Sequence, residues 1–199
     1  NLNLTDDSIL NDVQIGFDFK YFGQTYNSMT VCSNGWISFE PCQIAHFWNF
    51  SIPNPMGPSA MVAPFMDDLD DNGGTVPFNV YAYNTEDGRF VVEWDEVLNG
   101  EDDQNCPDCI NETFQMILYN PDVYPTATGD GDILFQYKEI HDIDTFEDHG
   151  ATVGVEAPDK NSGTEYLFNY SYHVNADTLK EGLAIKFSDS CGAKVSVDW

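Results

Sequence analysis

Basic residues are the scarcest class in this 199-residue chain. Seven Lys and Arg side chains stand against 34 Asp and Glu, which gives a formal net charge of −27. A field of that sign repels nucleic-acid phosphates and anionic lipid headgroups, so neither is expected as a partner. Apolar runs are also short, since none approaches the roughly 18 residues of a membrane span, and direct membrane insertion is not expected. No basic-plus-apolar leader opens the chain, which is therefore expected to start at a mature or excised end.

Helix signals are equally scarce. No window sustains apolar residues at helical spacing, and 15 Gly and 10 Pro interrupt the chain throughout. A hydrophobic content of 42% with 14% aromatics nevertheless separates this chain from acidic disordered sequences. The acid must therefore cover the surface of a folded domain.

Short strands bounded by turn residues are what the sequence does contain. They are predicted at residues 14–21, 28–32, 35–39, 60–66, 76–84, 89–97, 112–119, 132–140, 151–156 and 182–187. In the segment 133–138, Ile133, Phe135 and Tyr137 alternate with side chains that can face solvent. The predicted fold is all-β: a two-sheet antiparallel β-sandwich, jelly-roll-like, with residues 1–187 as one domain. Residues 188–199 are predicted to be an edge segment or a linker to a following module.

Cysteines are few, and their spacing suggests local bridges. Cys32 and Cys42 flank nine residues, and Cys106 and Cys109 form Cys-Pro-Asp-Cys. Disulfides 32–42 and 106–109 are expected, as in an extracellular protein. Cys191 would then pair with a cysteine beyond Trp199 in a longer parent. Zinc is a weaker reading of the close pair, because no second pair completes four ligands.

The segment DDLDDNGG, residues 67–74, directly follows the apolar run 61–66. Read from Asp68, it places oxygen side chains at positions 1, 3 and 5 of a tight loop and Gly73 at position 6. Calcium takes roughly six to eight oxygen ligands, and this loop chemistry suits it. A calcium site is therefore predicted with ligands from Asp67, Asp68, Asp70 and Asn72. An EF-hand is excluded because Asn79 stands at position 12 and the flanks are predicted strands.

The remaining calcium ligands must come from other parts of the chain. Asp130 and Asp132 in Gly-Asp-Gly-Asp are the predicted contributors, and Asp142, Asp144 and Asp148 are further candidates. The alternative is that these acids, and the 67–74 segment itself, are solvated surface turns. His141 and His149 could bind a transition metal, but acidic residues separate them and no thiolate accompanies them.

Two other function classes compete with a simple calcium-binding module. A calcium-dependent carbohydrate-binding module is indicated by Phe47 and Trp48, which lie in a Pro- and Asn-containing segment where aromatic faces could meet sugar rings. Trp36, by contrast, is expected to pack inward. A sandwich-fold glycoside hydrolase is suggested by Glu93-Trp94-Asp95-Glu96. Strand alternation, however, places Glu93 and Asp95 on one face with Val97 next, so a catalytic pair of carboxylates does not form.

Several segments, taken together, resemble the nidogen-type extracellular domain. They are GFDFKYFGQTY (16–26), VCSNGWISF (31–39), MVAPFMDDL (61–69), FVVEW (90–94), TFQMIL (113–118), ILFQY (133–137) and TVGVE (152–156). Similar segments occur in plexin-domain-containing proteins, and the resemblance covers roughly residues 14–187. It implies a non-catalytic extracellular β-sandwich domain, of the kind found in secreted bacterial multi-domain proteins. The acidic loop and the cysteines are not part of that resemblance.

The sequence therefore predicts an extracellular calcium-binding module, secreted or at the cell surface, that serves adhesion, recognition or spacing. Its expected partners are calcium, neighbouring modules of the same polypeptide, and a glycan or a cell-surface protein. No catalytic residue is predicted in the domain itself.

Overall fold

The computed structural model describes residues 1–99, 111–142 and 150–188. Their regular structure consists of strands: β1 (Ile9–Tyr21), β2 (Gln24–Cys32), β3 (Ile37–Ser38), β4 (Met61–Met66), β5 (Leu69–Asp70), β6 (Val80–Asn84), β7 (Arg89–Asn99), β8 (Asn111–Tyr119), β9 (Ile133–Glu139), β10 (Thr152–Glu156), β11 (Gly163–Phe168), β12 (Ser171–Tyr172) and β13 (Ala184–Phe187). No helix in these ranges is long and apolar enough to cross a bilayer.

The strands form two antiparallel sheets. One has seven strands in the order β1-β2-β3-β4-β10-β11-β12, and the other has the order β13-β9-β8-β7-β5 with β6 also paired to β7. The predicted two-sheet antiparallel sandwich is confirmed. The assignment of residues 1–187 to one domain stays a prediction, and residues 189–199, with Cys191, lie outside the described residues.

The core lies between the sheets because alternate side chains of the longer strands point inward. Phe114, Met116 and Leu118 of β8 are at most 1% exposed, and Phe135 and Tyr137 of β9 are fully buried. The polar positions between them, such as Gln136, face outward. The alternation that predicted these strands from sequence therefore also selects the core residues.

Each of the ten predicted strand regions contains a strand, and the differences lie at boundaries and in short elements. Strands β5, β11 and β12 were not predicted. Strand β11 has a single buried residue, and β5 and β12 have two residues each, so none of the three carries a clear apolar alternation. Such strands form because neighbouring strands offer pairing partners, which a local pattern does not reveal.

Register shifts interrupt several strand pairs, including β1 with β2 and β7 with β8. In β1 the register with β2 shifts between Leu10 and Val13 and again between Gln14 and Phe19. In β7 the register with β8 shifts between Trp94 and Val97, where Glu96 has φ 53. The extra residue returns Val97 to the core, where it is 1% exposed. The prediction that Val97 shares the face of Glu93 and Asp95 is therefore wrong.

Candidate functional site

Four segments meet at one end of the sandwich and bring acidic and amide side chains together. They are the turn before β1, the turn between β2 and β3, the segment from the end of β4 through β5, and the last residue of β7. We call this group the acidic corner, and it consists of Asp6, Asp7, Asn34, Asp67, Asp68, Asp70, Asp71 and Asn99. It draws on both sheets.

The turn before β1 is fixed to the β2–β3 turn by reciprocal backbone and side-chain contacts. The Ser8 N–H donates to Ser33 Oγ at 3.0 Å, and the Ser33 N–H donates to the Ser8 carbonyl at 2.9 Å. Asn34 Nδ2 donates to Asp7 Oδ1 at 2.9 Å. These bonds place the carboxylates of the N-terminal turn against a buried amide.

The β2–β3 turn is fixed in place by contacts with core residues. Trp94 is fully buried, and its Nε1 donates to the carbonyls of Cys32 and Ser33 at 3.1 and 3.0 Å. Gly35 has φ 71, and a Cβ at this position would lie 1.7 Å from the Phe65 carbonyl oxygen. The turn therefore needs glycine here and presents Asn34 to the corner in a defined position.

The acidic loop is organised by hydrogen bonds to its own carboxylates. Asp67, 3% exposed, accepts from Asn99 Nδ2 at 3.0 Å, through Oδ2. Asp70 Oδ1 accepts from the backbone N–H groups of Asp71 and Asn72 at 2.6 and 3.0 Å. Asp71 accepts from Gly74 N–H through Oδ1 and from Asp6 N–H through Oδ2 at 3.4 Å. The last bond joins the loop to the N-terminal turn.

Two triplets of carboxylates in the corner have ligand-competent oxygens within 4.8 Å of one another. One is Asp6, Asp70 and Asp71, and the other is Asp6, Asp7 and Asp68. Two oxygens on opposite sides of one calcium ion are about 4.8 Å apart, because the Ca–O distance is about 2.4 Å. Each triplet is therefore compact enough to share a cation.

Two buried amide oxygens in the same corner lack hydrogen-bond partners. Asn34 is fully buried and Asn99 is 1% exposed. Neither Asn34 Oδ1 nor Asn99 Oδ1 has a partner among the residues that the structure describes. Each amide donates its Nδ2 to a corner aspartate, Asp7 or Asp67, so each unpartnered oxygen lies beside a carboxylate. Orphaned buried acceptors are uncommon and fit a cation-binding role.

The electrostatics of the corner point the same way. The pKa of Asp6 rises to about 6, first through loss of hydration where its carboxyl meets the loop and then through repulsion from Asp7, Asp70 and Asp71. This holds although the residue as a whole is exposed. Lysine and arginine side chains of the described residues interact with groups outside the corner. The pairs are Lys20 with Asp130, Arg89 with Asp87, Lys160 with Gly57, Lys180 with Asp177 and Lys186 with Asp132. The charge of Lys138 acts to lower the pKa of Glu93.

The predicted ligands are brought together only in part. Asp67, Asp68 and Asp70 lie in the corner. Asn72, with φ 50, serves as a turn residue whose carbonyl accepts from Thr75 Oγ1 at 2.8 Å. Asp130 lies 3.8 Å from Lys20 Nζ and accepts from Gly23 N–H, and Asp132 lies 2.6 Å from Lys186 Nζ. The last two are thus placed against lysines and belong to neither triplet.

The other acidic and histidine candidates also lie away from the triplets. Asp142 Oδ1 accepts from Ala151 N–H at 3.2 Å. His141 Nδ1 is 3.4 Å from Glu112 Oε1, and its backbone N–H donates to the same buried carboxylate. Asp144, Asp148 and His149 lie outside the described residues.

Sequence reasoning missed four corner residues: Asp6, Asp7, Asn34 and Asn99. Asp71 lies inside the predicted loop but was not named as a ligand. One signal was present, since Ser-Asn-Gly between two predicted strands marks a tight turn that presents an amide. The juxtaposition of that turn with residues 6–7 and 67–71 depends on strand pairing.

The predicted 32–42 disulfide is not formed. Both residues are free thiols, with Cys32 buried and Cys42 half-buried. Cys32 lies in a small apolar cluster with Trp36 and Met61, where burial raises the pKa of its thiol to about 12. Cys42 Sγ contacts the Glu40 carbonyl at 3.6 Å. Cys106 and Cys109 lie outside the described residues.

A second surface feature is the segment 40–58, which we call the aromatic loop. Trp48 is 62% exposed, and its ring centroid is 5.3 Å from that of Phe47. Ile44 and Met56 are also exposed. Trp36 is buried as expected, but it packs in the small cluster beneath this loop and its Nε1 donates to the His46 carbonyl at 2.8 Å. The aromatic loop therefore exposes apolar side chains to solvent and is packed on a buried apolar cluster.

Carboxylates of the seven-stranded sheet anchor the aromatic loop. Glu156 Oε1 accepts from the Asn54 N–H, and Glu165 Oε2 accepts from the Ile52 N–H at 2.7 Å. Glu156 is fully buried, and its Oε2 has no partner among the described residues. Burial, the largest effect, raises the pKa of Glu156, while the Asn54 bond opposes the rise.

We expect Glu156→Gln to raise the melting temperature at pH 7.5, because it removes a buried charge and keeps an acceptor for Asn54. A carboxyl whose folded-state pKa is raised contributes stability below its ordinary value of 4.5, and that contribution is lost as the pH rises through the raised value. The gain over the parent protein should be about 1 kcal/mol, or 2–4 °C, and should vanish near pH 4. Calorimetry between pH 4 and 7.5 measures it, with exposed Glu86→Gln as the control. A difference in melting temperature between the variant and the parent protein that increases toward low pH would contradict this prediction.

The acids of strand β7 lie in and next to its bulge. Glu93 lies on the outer face of its sheet, opposite Gln115, and Glu96 sits in the bulge with its N–H donating to Thr113 Oγ1 at 3.1 Å. Burial and then repulsion from Asp95 raise the pKa of Glu93. Glu93 is half-buried whereas Glu96 is exposed, so the pattern that suggests a glycosidase spans the bulge of this strand.

Comparison with known proteins gives one family match. The model of a family described as NIDO related matches residues 1–192. Neither the curated proteins nor the solved structures give a match. The matched span contains all described residues, so the acidic corner and the aromatic loop both lie inside the family domain. The resemblance seen in the sequence is confirmed.

Proposed function

Because the chain belongs to the NIDO-related family, which indicates an extracellular and generally non-catalytic domain, we propose that it is a module of a secreted or cell-surface protein stabilised by calcium at the acidic corner. Its role in that protein is adhesion, recognition or spacing between neighbouring modules. The corner supplies the chemistry for the metal, and the aromatic loop supplies an exposed surface for contact.

The observation that carries the calcium proposal is the pair of unpartnered buried amide oxygens beside the carboxylates. Aspartates that lie this close together repel one another, and the two orphaned acceptors are also unfavourable in a folded protein. One hard cation relieves both, because it accepts carboxylate and amide oxygens alike. The described corner residues offer oxygen ligands only, which favours calcium over zinc or copper.

Asp68→Asn tests this site, because it removes a charge from one triplet at a residue that is only half-buried. We expect calcium affinity to fall by about tenfold or more in isothermal titration. Asp122→Asn is the matched control, since Asp122 is exposed and lies in the turn after β8. Equal affinities for the two variants would place calcium elsewhere, and the absence of binding by the parent protein would remove the proposal.

A calcium-dependent carbohydrate-binding module is the second candidate, and the exposure of Trp48 favours it. An indole with 62% of its surface in solvent and a neighbouring aromatic ring offers a platform for a sugar face. Calcium would support this platform through the stability of the domain, since Trp48 belongs to neither carboxylate triplet.

Trp48→Ala tests the carbohydrate reading in a glycan array with the calcium-loaded protein. We expect at least about a tenfold loss of glycan affinity, corresponding to roughly 1.4 kcal/mol of lost stacking. The melting temperature should change little, because the side chain is mostly exposed. Tyr83→Ala, an exposed aromatic on β6, is the control. An array without hits for the parent protein would favour the spacer role.

A further inference from the structure

The acidic corner contains two carboxylate triplets that share one residue. Asp6 belongs to both, Asp7 and Asp68 complete one, and Asp70 and Asp71 complete the other. Asp6 is exposed and lies in the turn before β1, between the N-terminal segment and the acidic loop. The shared residue therefore stands where a bridging ligand would be needed.

The loop residues of the two triplets do not fall into one compact ligand set. The ligand oxygens of each triplet lie within 4.8 Å of one another, and among the described residues no such group contains both Asp68 and Asp70. Two oxygens on opposite sides of one calcium ion are also about 4.8 Å apart. Two centres therefore fit this arrangement better than one.

The unpartnered amides are distributed in keeping with two centres. Asn34 donates to Asp7, so its orphaned oxygen lies beside the first triplet. Asn99 pairs with Leu69 in the β5–β7 ladder, between Asp68 and Asp70, and its orphaned oxygen lies beside Asp67. Each amide is at least nine-tenths buried; Asn34 enters the corner from the β2–β3 turn and Asn99 from the end of β7.

We propose that the acidic corner binds two calcium ions with the Asp6 carboxylate shared between them. The inference rests on the proposed calcium site and adds its stoichiometry and its bridging ligand. The centre with Asp7, Asp68 and Asn34 joins the N-terminal turn to the β2–β3 turn, and the centre with Asp70 and Asp71 joins it to the loop.

Native mass spectrometry and titration calorimetry with calcium alone test the proposal. The parent protein should take up two ions, and Asp7→Asn and Asp70→Asn should each retain one. Asp6→Asn should weaken both by about tenfold or more, because the shared ligand is changed. Asp122→Asn should retain two. Asparagine can preserve the Asp70 turn contacts through its own oxygen, and melting curves verify that each variant is folded.

Different results identify which proposal fails. Uptake of a single ion that Asp7→Asn and Asp70→Asn both weaken would overturn the two-ion inference and leave the calcium site standing. Uptake of none would overturn the calcium site itself. Energy transfer from terbium to europium is a second measurement of two neighbouring ions. It should occur in the parent protein loaded with both lanthanides and be lost in Asp7→Asn and Asp70→Asn.

Discussion

Removal of calcium should lower the melting temperature of this protein by about 5–10 °C for each ion that is bound. A ligand at 100 times its dissociation constant stabilises the folded state by about 2.7 kcal/mol per site, and 1 kcal/mol corresponds to about 2–4 °C for a domain of this length. The effect has a structural cause, since the unfolded chain does not bring Asp6, Asn34 and Asp70 together. Differential scanning calorimetry in calcium and in a chelator measures it.

Magnesium provides the control for that measurement, because it requires a smaller octahedral site and keeps its waters. It should recover only a small part of the shift at equal concentration. A chelator that leaves the melting temperature unchanged, with no response to added calcium, would show that the carboxylates form a solvated surface turn.

Gly35→Ala should destabilise the protein by about 4 kcal/mol or more, enough to leave much of a domain of ordinary stability unfolded. The new Cβ would lie 1.7 Å from the Phe65 carbonyl oxygen, and the residue also has a left-handed φ of 71. Backbone cannot yield as a flexible side chain would, so the β2–β3 turn must leave its position. Urea denaturation monitored by fluorescence measures the loss.

Gly23→Ala separates the steric effect from the backbone effect. Gly23 has φ 78, but a Cβ there would meet nothing within 4 Å. Its substitution should cost only about 1 kcal/mol, the penalty of a left-handed non-glycine residue. Equal losses at the two positions would show that the Gly35–Phe65 approach is not the cause.

The general architecture could be predicted from sequence because the apolar alternation along the long strands shows which of their side chains are buried. In β8 and β9 every second side chain is apolar, and these are the side chains that fill the core. The bulge in β7 could not be predicted, since it depends on Glu96 adopting a positive φ against Thr113. The pattern that predicts a strand lies within one segment of the sequence, whereas the register of that strand depends on the neighbour with which it pairs.

The acidic corner shows the same division between local and distant information. Asp67, Asp68 and Asp70 were predicted because their spacing within one loop is visible in the sequence. Asn34 and Asn99 were not, because they reach the loop through pairing with Asp7 and Asp67.

Asp130 and Asp132 show why local spacing alone misleads. Gly-Asp-Gly-Asp has the composition of a metal loop, but the structure places these carboxylates against Lys20 and Lys186. In a chain with so few basic residues, the positions of Lys20 and Lys186 show that these two carboxylates are paired with lysines. Those positions become known only with the fold.

The two register shifts of β1 bear on how such modules behave when many are crowded together. Strand β1 is one edge strand of the seven-stranded sheet, and the two-residue β12 is the other. A bulged edge strand and a very short one are both poor templates for pairing with another chain by backbone hydrogen bonds. Tandem or densely displayed copies should therefore resist fibril-like growth, leaving encounters with other molecules to the loops.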